Sequence, residues 1–333
     1  MDGHHKLIMY GWVVHGIIDG YDRTIRSLFA ATNNRAETVF QGFLRAVLEN
    51  KSPPEHVRGD HGGENVKVAA WMVKEMGGNK RAYMFGTSQH NQRIERFWED
   101  LGAQMLRAWR AFGVRLEEFH LLVRHRPDHL WLLHLLFTEE LNECITDFKK
   151  DWNNHPMKGR GTHHKSPNEL RIMGYIRHGV HMRPEDEAHK HNSNYFVEKY
   201  LGSKAQVQNT LSDELPLHLV ESAFSRTNHK PVKTPRTMNP FNDPEIEMEF
   251  KLELAQHLDE CRIPAGYKVL KSEWRCFKGN TYPSAGSIVV GARKRRYELQ
   301  MPASIWLPRA QKWAIGLDLL ERYIHRIHLT ADP

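Results

Sequence analysis

The stretch that most constrains this chain is Arg58 to Glu99. A short apolar run, His56-Val57, leads into Arg58-Gly59-Asp60-His61-Gly62-Gly63-Glu64-Asn65, the pattern of a strand that presents a carboxylate at its carboxyl end in a Gly-bearing turn. Further on, Ile94, Phe97, Trp98 and Leu101 recur at helical spacing, which places Glu95 in the first turns of an amphipathic helix. One carboxylate on a strand end and one on a helix can face each other across a cleft. A third, Asp2, stands near the start in Met1-Asp2-Gly3-His4-His5-Lys6-Leu7.

Around that stretch the patterning predicts a mixed α/β domain. Tyr10 to Ile18 is β-branched and aromatic, Asp19-Gly20-Tyr21-Asp22 supplies a turn, and Thr24 to Ala31 reads as the returning strand. Asn33 or Asn34 is placed to cap a helix whose face is Val39, Phe40, Phe43, Leu44, Val47 and Leu48. Pro53-Pro54 ends it. A second helix runs through Ala69, Ala70, Trp71, Val73 and Met76 to Gly77-Gly78, and Tyr83 to Gly86 is a short strand before the Glu95 helix. From His129 to Asn154 a long helix is expected to bury Leu130, Leu133, Leu136, Phe137, Leu141, Ile145 and Phe148. Trp131 and Leu135 lie on that helix, as core or as a face for another copy.

Several ordered motifs resemble the DDE catalytic core of retroviral-type integrases and cut-and-paste transposases. Asp60 and Glu95 stand 35 positions apart, with Asp2 before them. Asp60-His61-Gly62-Gly63-Glu64 is similar to the family's D-x-G-x-E element, and Asn91 with Glu95 to its N-x-x-x-E helix. Ile18-Asp19-Gly20-Tyr21-Asp22-Arg23 resembles the D-x-x-S-R element, with Asp22 where Ser is usual. Trp152-Asn153-Asn154-His155-Pro156, then Ser166-Pro167-Asn168-Glu169-Leu170, resembles the Y-N-x-x-x-P and T-P-x-E ending.

The resemblance implies an RNase H-like mixed sheet flanked by helices over residues 1–178, with a first strand truncated to start at Met1. It implies a polynucleotidyl transferase, a DNA integrase of transposon origin that nicks DNA ends and joins strands. Two divalent ions, Mg2+ or Mn2+, about 4 Å apart would serve that chemistry. Asp2 and Asp60 would hold one, and Asp2 and Glu95 the other. Water would attack in end nicking and a DNA 3′-hydroxyl in strand transfer. The HHCC zinc module that precedes many integrase cores has no counterpart here. His4, His5, His15, His163 and His164 lack the paired His and Cys spacing of a zinc site. Two rival readings are a domesticated or decaying relative that binds DNA or oligomerises without catalysis, and a simple RNase H-like nuclease.

Secondary candidates keep two readings each. Asn91 either orients substrate or caps the helix, and Glu64 is either an extra acid or a complement to a helix N-terminus. Lys80, Arg81, Arg93 and Arg96 either hold DNA phosphates or are ordinary surface cations. Arg293-Lys294-Arg295-Arg296, between two strands, is either a DNA contact or a solvated hairpin.

Charge matters here because the expected partner is DNA. Net charge is +7 from 47 basic and 40 acidic residues, mildly in favour of a polyanion and not decisive. Integrase relatives act as multimers, so a homo-oligomer is implied. The longest apolar run, Leu130 to Phe137, is too short to span a bilayer, so no membrane partner is expected. Three scattered cysteines, Cys144, Cys261 and Cys276, fit a reducing compartment, and the resemblance implies a nuclear or other intracellular site.

Beyond the core, residues 184–245 read as a linker with a few short helices, partly disordered. Residues 246–333 read as a small α+β region of unknown role. In it Met248 to Leu258 is helical, Trp274 to Phe277, Ser287 to Val290 and Tyr297 to Met301 are strands, and Trp313 to Ile327 is a final helix.

Overall fold

The computed structural model describes residues 1–86, 91–159, 161–180, 182–201, 220, 232–290 and 294–331. The chain divides into two compact units. The first takes Met1–His5, Val13–Asp100 and Asn142–Lys233, and the second takes Lys6–Trp12, Leu101–Leu141 and Thr234–Pro333. Much of the expected linker, together with Ser88, Gln89, His90 and Arg293, lies outside the described residues.

The first unit is mixed α/β, with helices flanking small sheets. Strands β1 (Asp2–His4), β2 (Val13–Ile18) and β3 (Ile25–Ala31) pair antiparallel in that order. The turn between β2 and β3 is built by carboxylates. Asp19 Oδ1 accepts from the N–H groups of Tyr21 (2.7 Å) and Asp22 (3.1 Å), and Asp22 Oδ1 accepts from Thr24 N–H (2.8 Å) and Oγ1 (2.6 Å). The predicted strand over Tyr10–Ile18 begins later, because Ile8–Tyr10 makes a 3-10 turn closed by Gly11 at φ 83°.

Helix α1 (Ala36–Asn50) buries Val39, Phe40, Phe43, Leu44 and Val47, as its period predicts. Its N-cap is Arg35. Asn33 acts just upstream, accepting at Oδ1 from Arg35 N–H (3.1 Å) and Thr38 Oγ1 (2.7 Å), so neither asparagine is itself the cap. Strand β4 (Val57–Gly59) pairs parallel with β5 (Tyr83–Phe85), and α2 (Val66–Glu75) supplies the crossover that parallel pairing needs. The Met1 ammonium donates to Arg58 O at 2.7 Å, which sets the start of β1 beside β4.

Helix α3 (Gln92–Leu101) leads through a π-helical turn, Gly102–Leu106, into α4 (Arg107–Phe119). Helix α5 (Pro127–Asn154) gives its first half to the second unit and its second half to the first. Two of its amides cover the open edge of β3. Asn142 accepts from Ala30 N–H (2.8 Å) and donates to Ala30 O (3.1 Å), and Asn153 does the same for Ile25 (2.8 and 3.2 Å). Each amide replaces the backbone pair of a missing strand, so the edge offers less of a template for a stray chain. Helix α6 (Pro167–His178) starts with a reciprocal capping box between Ser166 and Glu169 and has Pro167 in its first turn.

Helices α7 (Pro184–Glu187) and α8 (Ser193–Leu201) follow. Phe196 and Tyr200 of α8 enter the core with Phe40, Phe43, Trp71 and Met72. Asp186 is fully buried and accepts from Lys199 Nζ (2.5 Å), Tyr195 Oη (3.1 Å) and Tyr200 Oη (3.1 Å). Burial alone would raise its carboxyl pKa. The Lys199 ammonium and the two hydroxyls outweigh that and hold it below the usual range.

In the second unit α4 and the first half of α5 join helices Pro244–Asp259 and Ala303–Ala331 and a hairpin, β6 (Ala285–Val290) with β7 (Arg295–Gln300). Trp131 packs against Phe241 and Phe250, at ring distances of 5.5 and 5.8 Å. The strand predicted over Trp274–Phe277 is instead a 3-10 stretch, Lys271–Cys276, because the Glu273 carboxylate accepts from the N–H groups of Gly266 and Leu270 and coils the segment. The last helix starts at Ala303, ten residues before the predicted start, and runs through Pro308. Among the described residues no helix is long and apolar enough to cross a membrane.

Each unit holds a buried imidazole. His15 is 4% exposed and His120 fully buried, and burial pushes both rings down to about 4. An unfolded His takes up its proton near 6.5, so between about 6.5 and 4 the unfolded chain binds more protons than the folded one. Stability is therefore expected to fall as the pH drops through that window, by about 1.4 kcal/mol per pH unit for each ring. Urea unfolding at a series of pH values checks this, and His15→Phe should remove one ring's share of the slope in the first unit.

Candidate functional site

The site grows from two strand ends. Asp60 leaves β4 at its carboxyl end, and its Oδ1 accepts from Gly62 N–H (3.1 Å) and from the buried Asn65 amide (2.7 Å). Gly59 before it leaves room for the Tyr83 hydroxyl, which a Cβ at that position would meet at 2.1 Å. Asp2 opens β1, and its Oδ2 accepts from Trp98 Nε1 at 2.7 Å. Because Met1 is bonded to Arg58, the two carboxylates become electrostatic neighbours. Burial raises the Asp2 carboxyl pKa, the Trp98 hydrogen bond opposes the rise, and repulsion from Asp60 adds to it. Glu64 is raised by burial, and then by Asp60 and Asp2. Tyr83 is 2% exposed, its hydroxyl has no hydrogen-bond partner among the described residues, and burial and all three acids push its pKa well up.

Helix α3 is fastened to β1 at two points. The Asn91 amide donates to Met1 O (3.0 Å), and Trp98 donates to Asp2. The Asn91 carbonyl accepts from the N–H groups of Ile94 (3.1 Å) and Glu95 (3.2 Å), so the residue opens the helix through its backbone while its side chain ties the helix to the strand. Positions 91, 95 and 98 share one helical face, so Glu95 lies on the face that Asn91 and Trp98 attach to β1. Glu95 itself is exposed. The acids the structure brings together are Asp2, Asp60 and Glu64.

Asp2 and Asp60 suit a hard divalent cation: two partly buried oxygen donors that repel each other, beside the buried Tyr83 hydroxyl, which has no partner among the described residues. Among the described residues, however, no group of three or more His, Cys, Asp or Glu side chains stands ready to hold a metal.

A family model described as an integrase core domain matches residues 1–183. The chain belongs to the integrase core family. No curated protein and no solved structure matches it.

Within this integrase core, several shared motifs turn out to serve the fold. Asp19 and Asp22 make the β2–β3 turn, Asn153 covers the β3 edge, and Ser166 with Glu169 caps α6. The basic candidates are dispersed. Arg93 is exposed and its guanidinium lies 3.4 Å from where a Cβ at Gly20 would sit. Arg96 is exposed and paired with its own helix's Glu99 (3.2 Å) and Asp100 (3.7 Å). Lys80 and Arg81 are exposed on the 3-10 turn Lys80–Ala82. Lys294, Arg295 and Arg296 are exposed in the second unit's hairpin. Sequence reasoning missed how Asn65, Tyr83, Trp98 and Gly16 pack and bond around Asp2 and Asp60. A glycine inside the β-branched strand Val13–Ile18 was the one available hint of close backbone approach.

Proposed function

We propose that this integrase core is a polynucleotidyl transferase that nicks DNA ends and joins strands, with Asp2, Asp60 and Glu95 as its metal-holding carboxylates on an RNase H-like sheet. The observation that supports this reading is the Met1–Arg58 hydrogen bond, which sets the start of β1 beside β4 and so brings Asp2 into electrostatic reach of Asp60. Bound Mg2+ or Mn2+ would neutralise the scissile phosphate and lower the pKa of an attacking water or 3′-hydroxyl. The chain's own residues set the geometry. Gly62 and Asn65 hold the Asp60 carboxylate in one rotamer, Asn91 holds the start of α3 against β1, and Arg93, Lys80 and Arg81 are the cations offered to phosphate.

Incubation with supercoiled plasmid and Mn2+, against a chelator control, tests the reading: metal-dependent nicked and joined products are expected. Glu95→Gln should lower the rate by at least about a hundredfold, with the urea midpoint unchanged, since Glu95 is exposed. An unchanged rate would remove Glu95 from the site and leave Glu64 as the third acid beside Asp2 and Asp60. No metal-dependent product from the wild type would overturn the enzymatic reading.

A further inference from the structure

We propose that Trp98 is a positioning residue for the acidic site, its indole N–H fixing the Asp2 carboxylate through an opening made by Gly16. The inference rests on the metal-site reading above. Strand alternation puts Asp2 and His4 on one face of β1, and the cross-strand partner of Asp2 is Gly16. The Trp98 indole fills the space next to all three. Its Nε1 donates to Asp2 Oδ2 at 2.7 Å, and its ring centroid is 5.1 Å from that of His4. Any Cβ at Gly16 would meet its Cη2 at 2.6 Å. A side chain at position 16 would therefore push the indole away from Asp2. That explains a glycine in the middle of a strand, where it otherwise weakens pairing.

Tryptophan also suits the task chemically. The indole N–H is a donor only, so it can orient a carboxylate without a lone pair that competes for the cation. At 5% exposure the ring is held by its packing, and it takes one carboxylate oxygen at a fixed angle. The same bond anchors the helical face that carries Glu95. One contact thus sets the position of Asp2 and the approach of α3 to β1.

The alternative is a core tryptophan whose N–H met the nearest acceptor. Mn2+ binding by calorimetry, and the Mn2+ dependence of plasmid nicking, separate the two. The full chain is compared with Trp98→Phe, with Gly16→Ala, with Asp60→Asn, and with β-(3-benzothienyl)alanine at position 98, which keeps the shape of the ring and lacks the N–H. The isostere is expected to raise half-saturating Mn2+ about tenfold or more, to regain most of the rate at saturating Mn2+, and to leave the urea midpoint in place. Gly16→Ala, which keeps the N–H and displaces the ring, should do the same to Mn2+ binding. Wild-type Mn2+ binding in the isostere, alongside lost binding in Asp60→Asn, would overturn the role of Trp98 alone. A wild type with no saturable Mn2+ binding would overturn the metal-site reading and this inference with it.

Discussion

Replacing Asp60 by Asn is expected to slow Mn2+-dependent nicking by on the order of a thousandfold while leaving the fold as stable as before. Asparagine keeps the size of the side chain and an oxygen acceptor for Gly62 N–H and the Asn65 amide, so the turn after β4 survives. What disappears is the charge. A metal-held carboxylate supports several kcal/mol of transition-state stabilisation, and each 1.36 kcal/mol is a factor of ten in rate. Asp60 also repels Asp2 and Glu64, so its neutralisation relieves both. The variant should unfold at the same urea concentration as the wild type, or slightly higher. Plasmid nicking and urea unfolding on the same preparation check both halves, and an active Asp60→Asn protein would exclude the carboxylate mechanism.

Trp71→Ala is expected to produce the opposite pattern, destabilising the first unit by about 3–5 kcal/mol. Trp71 is 8% exposed and meets Phe43 and Tyr200 edge to face, with ring centroids 5.4 and 6.1 Å apart. Removing it loses both the transfer free energy of the ring and its contacts with the two helices packed on it, α1 and α8. Nicking should fall because less protein is folded, and cooling within the range where folding strengthens should restore it. The same cooling should not rescue Asp60→Asn. Two transitions are expected in the wild type if the units unfold separately, so the first unit's transition is the one to follow.

What could be read from the chain alone was whatever repeats or neighbours itself in sequence. The face Val39-Phe40-Phe43-Leu44-Val47 was legible because burial follows the helical period. Asp60 was legible because a strand, an acid and glycines stand in a row. The roles of Asn142 and Asn153 were hidden, since covering an edge depends on knowing which strand is the edge. Trp98 was hidden for a different reason. It fits the apolar period of α3 perfectly well, and only the position of β1 shows that one atom of its ring is polar and used. Trp274 to Phe277 misled because aromatic residues favour strands, a preference that the Glu273 carboxylate overrides locally. The early start of the final helix was concealed by Pro308, which usually marks a stop.

The placement of α8 separates two boundaries that are easily taken for one. Similarity to the family ends at residue 183, yet Phe196 and Tyr200 close the same apolar interior as Phe40 and Trp71. The recognisable sequence therefore stops before burial is complete. A chain shortened to the family match would bare the aromatic floor between α1 and α2 and draw copies together through it. The apolar interior of the first unit draws on the chain at least as far as Tyr200.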